Sequence, residues 1–187
     1  MEYDRFYSEG ARKQQASEIR ELLKLTQRSD IVSFAGGLPN PLTFPVEEIR
    51  ETVDRVLHGD SELALQYGPT EGYTPLREEI ARYLNKDGFE LTTDNVIVTN
   101  GSQQGLDLIG RTFLDRGTKV IVGSPTYLGA LSAFSAYKCD FVPIQSDFEG
   151  LRMDSLEETL ERLRADGTPA RLVYTVPTFQ NPSGTVL

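Results

Sequence analysis

Tryptophan is absent from the 187 residues, and histidine and cysteine occur once each, as His58 and Cys139. One cysteine cannot close an intramolecular disulfide, and one Cys with one His makes no metal-ligand cluster. No apolar run approaches the ~18 residues of a membrane span. The first twenty residues are polar and mixed in charge, without the apolar core and small-residue cleavage site of a secretory signal. Basic residues are the minority: 19 Lys and Arg stand against 28 Asp and Glu, a net charge of −9. Such a surface repels nucleic acid and anionic lipid at long range, although a local pocket for one anionic ligand remains compatible with it. Internal repeats and low-complexity tracts are also missing. Together these absences point to a globular protein of the cytoplasm.

What is present is an ordinary globular composition, 39% hydrophobic and 25% charged, in a length that suits one domain or one and a half. Hydrophobic periodicity alternates between two values. Ser17–Gln27 carries a helical stripe of Ile19, Leu22, Leu23 and Leu25, and Ile31–Phe34 is a short run stopped by the breakers of Gly36–Pro41. Pro45 opens a helix with Ile49, Val53 and Val56 on one side, and Pro75 opens another with Leu76, Ile80, Tyr83 and Leu84. From residue 94 the alternation is regular. Strands are expected at Val96–Val98, Lys119–Val122, Phe141–Ile144 and Leu172–Val176. Helices are expected at Gly101–Asp115, Thr126–Lys138 and Asp154–Asp166, the last with Asp154 and Glu157 as a capping box. Strand and helix in alternation argue for an α/β fold of parallel strands with helical crossovers. The last strand should lead into a further crossover, and the residues after it are too few to supply one. The chain therefore reads as part of a longer protein.

In such sheets ligands bind beyond the carboxyl ends of the strands, so the turns there are the candidate sites. Thr99–Gly105 places a glycine and Ser102 at a helix start, where backbone N–H groups and a hydroxyl can cradle a phosphate. It lacks the Gly-Lys-Ser/Thr of a nucleotide P-loop and the spacing of a dinucleotide fingerprint, and helix capping alone would also explain it. Ser124–Tyr127 sets an aromatic at a second helix start, where it can stack on a flat ring or simply seal the helix end. Asn181–Gly184 offers an amide donor or an everyday Asn-Pro turn. Tyr67 sits in the turn-rich Gln66–Gly72. His58 reads as a charge near a helix end, Cys139 as a small buried residue, and Glu47–Glu48, Glu78–Glu79 and Glu157–Glu158 as first-turn complements to helix dipoles.

Five segments in order, Ser33–Pro39, Gln66–Gly72, Thr99–Gln104, Ser124–Tyr127 and Asn181–Gly184, resemble the N-terminal half of a class I/II aminotransferase. That family is of fold type I and depends on pyridoxal 5'-phosphate, and the segments are most similar to the group of 2-aminoadipate and kynurenine aminotransferases. The resemblance spans essentially the whole chain. It implies a three-layer α/β large domain with a mostly parallel sheet over residues 46–187, incomplete here, preceded by an arm or small-domain contribution over 1–45. It implies that Gly101, Ser102 and Gln103 hold the cofactor phosphate, Tyr127 stacks on the pyridine ring, and Asn181 hydrogen-bonds the ring's phenolic oxygen. Tyr67 would reach the phosphate of a partner in a homodimer, and Gly36 and Gly37 would line the substrate site.

Such enzymes also need a lysine that forms a Schiff base with the cofactor, an acidic partner for the pyridine nitrogen and an arginine for the substrate carboxylate. In the family all three lie beyond the Asn-Pro-x-Gly turn. The five lysines here are Lys13, Lys24, Lys86, Lys119 and Lys138, and none has the expected Ser-x-x-Lys setting. The expectation is an aminotransferase parent acting on amino and 2-oxo acids, with 187 residues that are inactive alone and no catalytic residue among them. Other readings are a β-lyase or synthase on the same fold, the aminotransferase-like domain of a transcriptional regulator, or a remnant with no activity. The acidic charge argues against the regulator.

Overall fold

A computed structural model describes residues 3–8, 11, 30 and 39–187. The expected helix at Ser17–Gln27, the run at Ile31–Phe34 and the pair Gly36–Gly37 lie outside these residues. Two compact units divide the chain, Leu38–Asn100 being one, while Gly101–Leu187 carries the sheet of the other.

In the first unit, helix α1 spans Val46–Gly59, with Pro45 at its cap position, Glu47 and Glu48 in its first turn and His58 in its last. This is the charge order that the helix dipole favours. A single-turn helix, α2, follows at Ser61–Leu65, and α3 spans Thr74–Asn85 with Pro75 in its first turn. Glu78 and Glu79 therefore lie one turn deeper than expected, and Glu79 pairs with Arg82 instead of facing the helix N-terminus. Asn85 closes the segment after α3 by accepting from Leu91 N at 2.7 Å and donating to Leu91 O at 3.0 Å.

The expected strand at Val96–Val98 does not form. Val96 is buried but Ile97 is 64% exposed, and the backbone groups find partners other than a ladder. Val98 N donates to Glu71 O at 2.9 Å. The Arg77 guanidinium donates to Val96 O at 2.9 Å and to Thr93 O at 2.5 Å. With Val96 O and Val98 N taken up this way, the β-branched run is held without a sheet ladder.

In the second unit, α4 spans Gly101–Phe113, strand β1 Lys119–Ser124, α5 Leu128–Ser135 and β2 Asp140–Asp147. The short β3, Gly150–Leu151, follows a tight turn and pairs antiparallel with β2. Helix α6 spans Met153–Ala165, and β4 is Ala170–Tyr174. Sheet order is β3-β2-β1-β4, with β1 parallel to both β2 and β4. The expected capping box of α6 is not made. The helix starts at Met153 with Arg152 in the cap position and no side-chain cap. Asp154 instead takes the Arg152 guanidinium and Ser155 N, which holds its carboxyl below the usual range. Glu157 and Glu158 consequently sit past the first turn.

Strand alternation sorts the side chains of β1 onto two faces. Val120 and Val122 join Leu106 and Leu114 from α4 and the end that follows it, and Ala130, Ala133 and Phe134 from α5. Ile121 faces the other way and packs with Ile144 and with Leu163 of α6. Helices thus cover both faces of a mostly parallel sheet in three layers, which is how parallel strands are kept from water.

Candidate functional site

The carboxyl ends of the neighbouring strands β1 and β4 bring two turns side by side. From β1 the chain runs through Ser124, Pro125 and Thr126 to Tyr127, which occupies the cap position of α5. From β4 it runs through residues 175–187, which fold back on themselves. Gln180 N donates to Thr185 O at 2.9 Å, Gly184 N to Gln180 O at 2.5 Å and Leu187 N to Pro177 O at 2.8 Å. Ser124–Pro125 and Asn181–Pro182 are both cis. The Gln180 side chain spans the two turns, its Nε2 donating to Pro125 O at 3.0 Å. A pocket at this edge is lined by Gly123, Thr126, Tyr174, Val176 and Gln180 among others.

Tyr127 is half-buried, and its ring lies on the backbone of Gly129. A Cβ at Gly129 would stand 2.4 Å from ring atoms Cε1 and Cζ, so only glycine leaves room for that ring. Tyr174 stands edge-on to Phe134, with ring centres 5.9 Å apart. Burial, and after it the neighbouring Tyr127, pushes the Tyr174 phenol up from its ordinary value.

Helix α4 begins with Gly101 at φ 72°, a left-handed conformation, and nothing lies within 4 Å of where a Cβ would stand. The chain turns into α4 there from an irregular segment, not from the strand expected at 96–98. The first-turn N–H groups of a helix have no partner within it, and the exposed Ser102 adds a hydroxyl beside them. The Gln103 amide is engaged elsewhere, donating to Gly129 O at 3.3 Å. That bond ties the start of α4 to the start of α5, the helix that Tyr127 caps.

The residues that the sequence singled out therefore sort into groups. Gly101, Ser102 and Gln103 open α4, and Tyr127 and Asn181 stand on the paired turns. Tyr67 is 99% exposed in the unit Leu38–Asn100. Gly36 and Gly37 lie outside the described residues. Sequence reasoning missed Gln180 and Gly129. The contacts that give them meaning are tertiary, and nothing in a Gln before an Asn-Pro pair announces a partner 55 positions upstream.

Neither described lysine of the sheet-bearing unit, Lys119 or Lys138, belongs to this edge. Lys119 opens β1 at the opposite end of the sheet and pairs with Asp140 Oδ2 at 2.8 Å. Lys86 lies over the Tyr83 ring, and Lys138 follows α5 with a left-handed φ of 61°. His58 is exposed, with Nδ1 2.7 Å from Asp54 O. Cys139 is half-buried with Sγ 3.4 Å from Phe134 O, and burial pushes its thiol up. The carboxyl edge brings together hydroxyls, side-chain amides and an aromatic face.

The family model described as aminotransferase class I and II matches residues 29–187. The chain is 48% identical to aromatic-amino-acid aminotransferase 1 of Thermococcus litoralis, covering 100% of this chain and 45% of that protein. Among solved structures it is similar to the kynurenine aminotransferase of Pyrococcus horikoshii in complex with PMP. Identity there is 49% and the TM-score 0.92, over 100% of this chain and 46% of that one. It is also similar to the alpha-aminoadipate aminotransferase of Thermus thermophilus complexed with N-(5'-phosphopyridoxyl)-L-leucine, at 42% identity and a TM-score of 0.84, over 100% of this chain and 44% of that one. The chain spans about half the length of the curated relatives it matches.

Proposed function

This chain belongs to the class I and II aminotransferase family, and on that premise we propose that the protein moves an amino group from an L-amino acid to a 2-oxo acid with pyridoxal 5'-phosphate. The observation that carries the reading is the carboxyl edge of the sheet. There a helix N-terminus, an aromatic face and an amide-bearing turn are tied together by Gln103–Gly129 and Gln180–Pro125.

The residues present fit the cofactor. A phosphate dianion suits the start of α4, where main-chain N–H groups and the Ser102 hydroxyl donate and the helix dipole favours negative charge. No Cβ at Gly101 intrudes on the approach, and the space around that position is open. When bound, the cofactor carries the amino group and serves as sink for the electron pair released at the amino acid's Cα. The chain's own part is to hold and orient. Gly101, Ser102 and the backbone of Gln103 hold the phosphate, Tyr127 supports one face of the ring, and Asn181 donates to the ring oxygen.

We place Tyr67, with its fully exposed side chain, at a partner's phosphate in a homodimer, and Gly36 and Gly37 at the substrate. The relatives named for aromatic amino acids, kynurenine and 2-aminoadipate support a donor with a long or aromatic side chain. No helix of the described residues is long and apolar enough to cross a membrane, and we take the protein to act in the cytoplasm. The lysine, acid and arginine that complete the chemistry are assigned to none of these 187 residues, so the segment alone binds without turning over.

The test is a half-reaction. The full-length protein, loaded with pyridoxal phosphate, is mixed with a panel of aromatic, acidic and branched L-amino acids. Conversion of the bound cofactor to its amine form, with release of the matching 2-oxo acid, is expected for at least one donor. Silence across the panel, or release of ammonia and pyruvate, would reject the reading.

A further inference from the structure

Gln180 is not among the residues to which a cofactor contact has been assigned, yet it makes the contact that joins two of them. Its amide has both ends committed. Pro125 offers only a carbonyl oxygen and Ser183 N only a hydrogen, so Nε2 must face Pro125 and Oε1 must face Ser183. The distances agree: Nε2 to Pro125 O is 3.0 Å, and Oε1 accepts from Ser183 N at 2.8 Å and from Ser183 Oγ at 2.5 Å. The side chain is half-buried, which limits competition from water. Segment 175–187 is also held near its end, where Leu187 packs on Gly150 of the β2–β3 hairpin. That contact is apolar and anchors the segment to the hairpin, not to the turn that carries Tyr127.

We propose that Gln180 is a positioning residue that locks the Asn181 turn to the Pro125–Tyr127 turn, so that the amide of one and the aromatic face of the other are set against the cofactor ring as a single piece. The proposal rests on the cofactor reading above and adds to it a residue that acts through the two turns it joins. Its consequence is directional. The half of the amide that crosses to Pro125 governs the ring's surroundings, whereas the half that accepts from Ser183 shapes only its own turn.

Two substitutions separate the halves. Gln180→Glu keeps the acceptor for Ser183 but replaces the donor to Pro125 with a second oxygen. Ser183→Ala keeps the crossing bond and removes the local hydroxyl. Gln180→Met, close in volume and unable to make either bond, serves if the glutamate variant does not fold. Each full-length variant is titrated with pyridoxamine phosphate, and the circular dichroism of the bound ring is recorded beside its thermal unfolding. Loss of one such bond corresponds to about tenfold in affinity. The expected result is that Gln180→Glu, or Gln180→Met, weakens pyridoxamine phosphate about tenfold and diminishes the ring's induced dichroic band. Ser183→Ala should stay within about twofold with the band intact. Wild-type affinity and band in both Gln180 variants would overturn the proposal, as would equal damage from Ser183→Ala. Failure of the unmodified protein to bind either cofactor form is a different outcome: it removes the cofactor reading itself, and this proposal with it.

Discussion

Gly129 is where the demands of helix and ring meet in one residue. In the first turn of α5, alanine would gain up to about 1 kcal/mol of helix propensity over glycine. A Cβ there would stand 2.4 Å from the Tyr127 ring, well inside van der Waals contact. An overlap of that depth cannot be absorbed by a few tenths of an ångström, and core overpacking costs about 1–3 kcal/mol. The clash wins. Gly129→Ala is therefore expected to displace the Tyr127 ring, seen as a changed near-ultraviolet tyrosine band, with no rise in thermal midpoint. A stabilised variant with an unchanged band would show that the ring does not rest on that backbone. At this scale the sequence announced the positions of Gly101 and Tyr127, which stand at helix starts as their motifs suggest. It was illegible where a contact carried the residue, as at Gly129 and Gln180. Asp154 shows the same limit from the other side. Its spacing to Glu157 fits a capping box, but an arginine two residues earlier claims its carboxylate.

Among the elements, periodicity located each described helix of ordinary length and the three longer strands, because each carries an apolar stripe or face. In α4, α5, α6 and the strands that face is buried against a neighbour, whereas Ile49, Val53 and Val56 of α1 stay exposed. Periodicity failed at Val96–Val98, where the composition is that of a strand. Whether such a run becomes one depends on a partner edge, and here Glu71 O and the Arg77 guanidinium take the backbone groups. It also passed over β3, since two residues carry no period. The single-turn α2 is equally short for that signal. The largest fully buried helix side chain among the described residues is Phe134 of α5, 1% exposed and set edge-on against Tyr174. Phe134→Ala removes the ring at the junction of α5 with β1 and β4 and is expected to cost about 3–5 kcal/mol in chemical denaturation. A loss below about 1 kcal/mol would mean that the helix is not seated on the sheet as described.

Over the whole molecule, the α/β class and the parallel strands follow from alternation alone, whereas the strand order and the boundary after Asn100 do not. No composition shift marks that boundary, because both units use the same mixture of short apolar stripes and charged faces. Alkaline pH probes the sheet-bearing unit as a body. Burial raises the Tyr174 phenol above its ordinary value, so the folded state holds that proton more tightly than the unfolded chain. The resulting stabilisation is complete below about pH 10, where unfolded tyrosine titrates, and is lost as pH rises through the higher folded value. Tyr174→Phe is expected to flatten the alkaline fall of stability measured by denaturant unfolding above pH 10. An unchanged slope would place the hydroxyl in water.

The pairing of β1 has a consequence for the chain while it is being made. Both neighbours of β1 lie downstream of it, β2 ending at Asp147 and β4 at Tyr174, about fifty residues after Ser124. At ordinary rates of synthesis that separation is roughly 3 to 10 seconds. Throughout it Val120, Ile121 and Val122, all but inaccessible to water in the finished sheet, emerge from the ribosome with no strand on either side and then with only one. A segment among the most buried of the described residues is thus, for those seconds, an adhesive nascent stretch, and a place where a chaperone at the ribosome has something to shield.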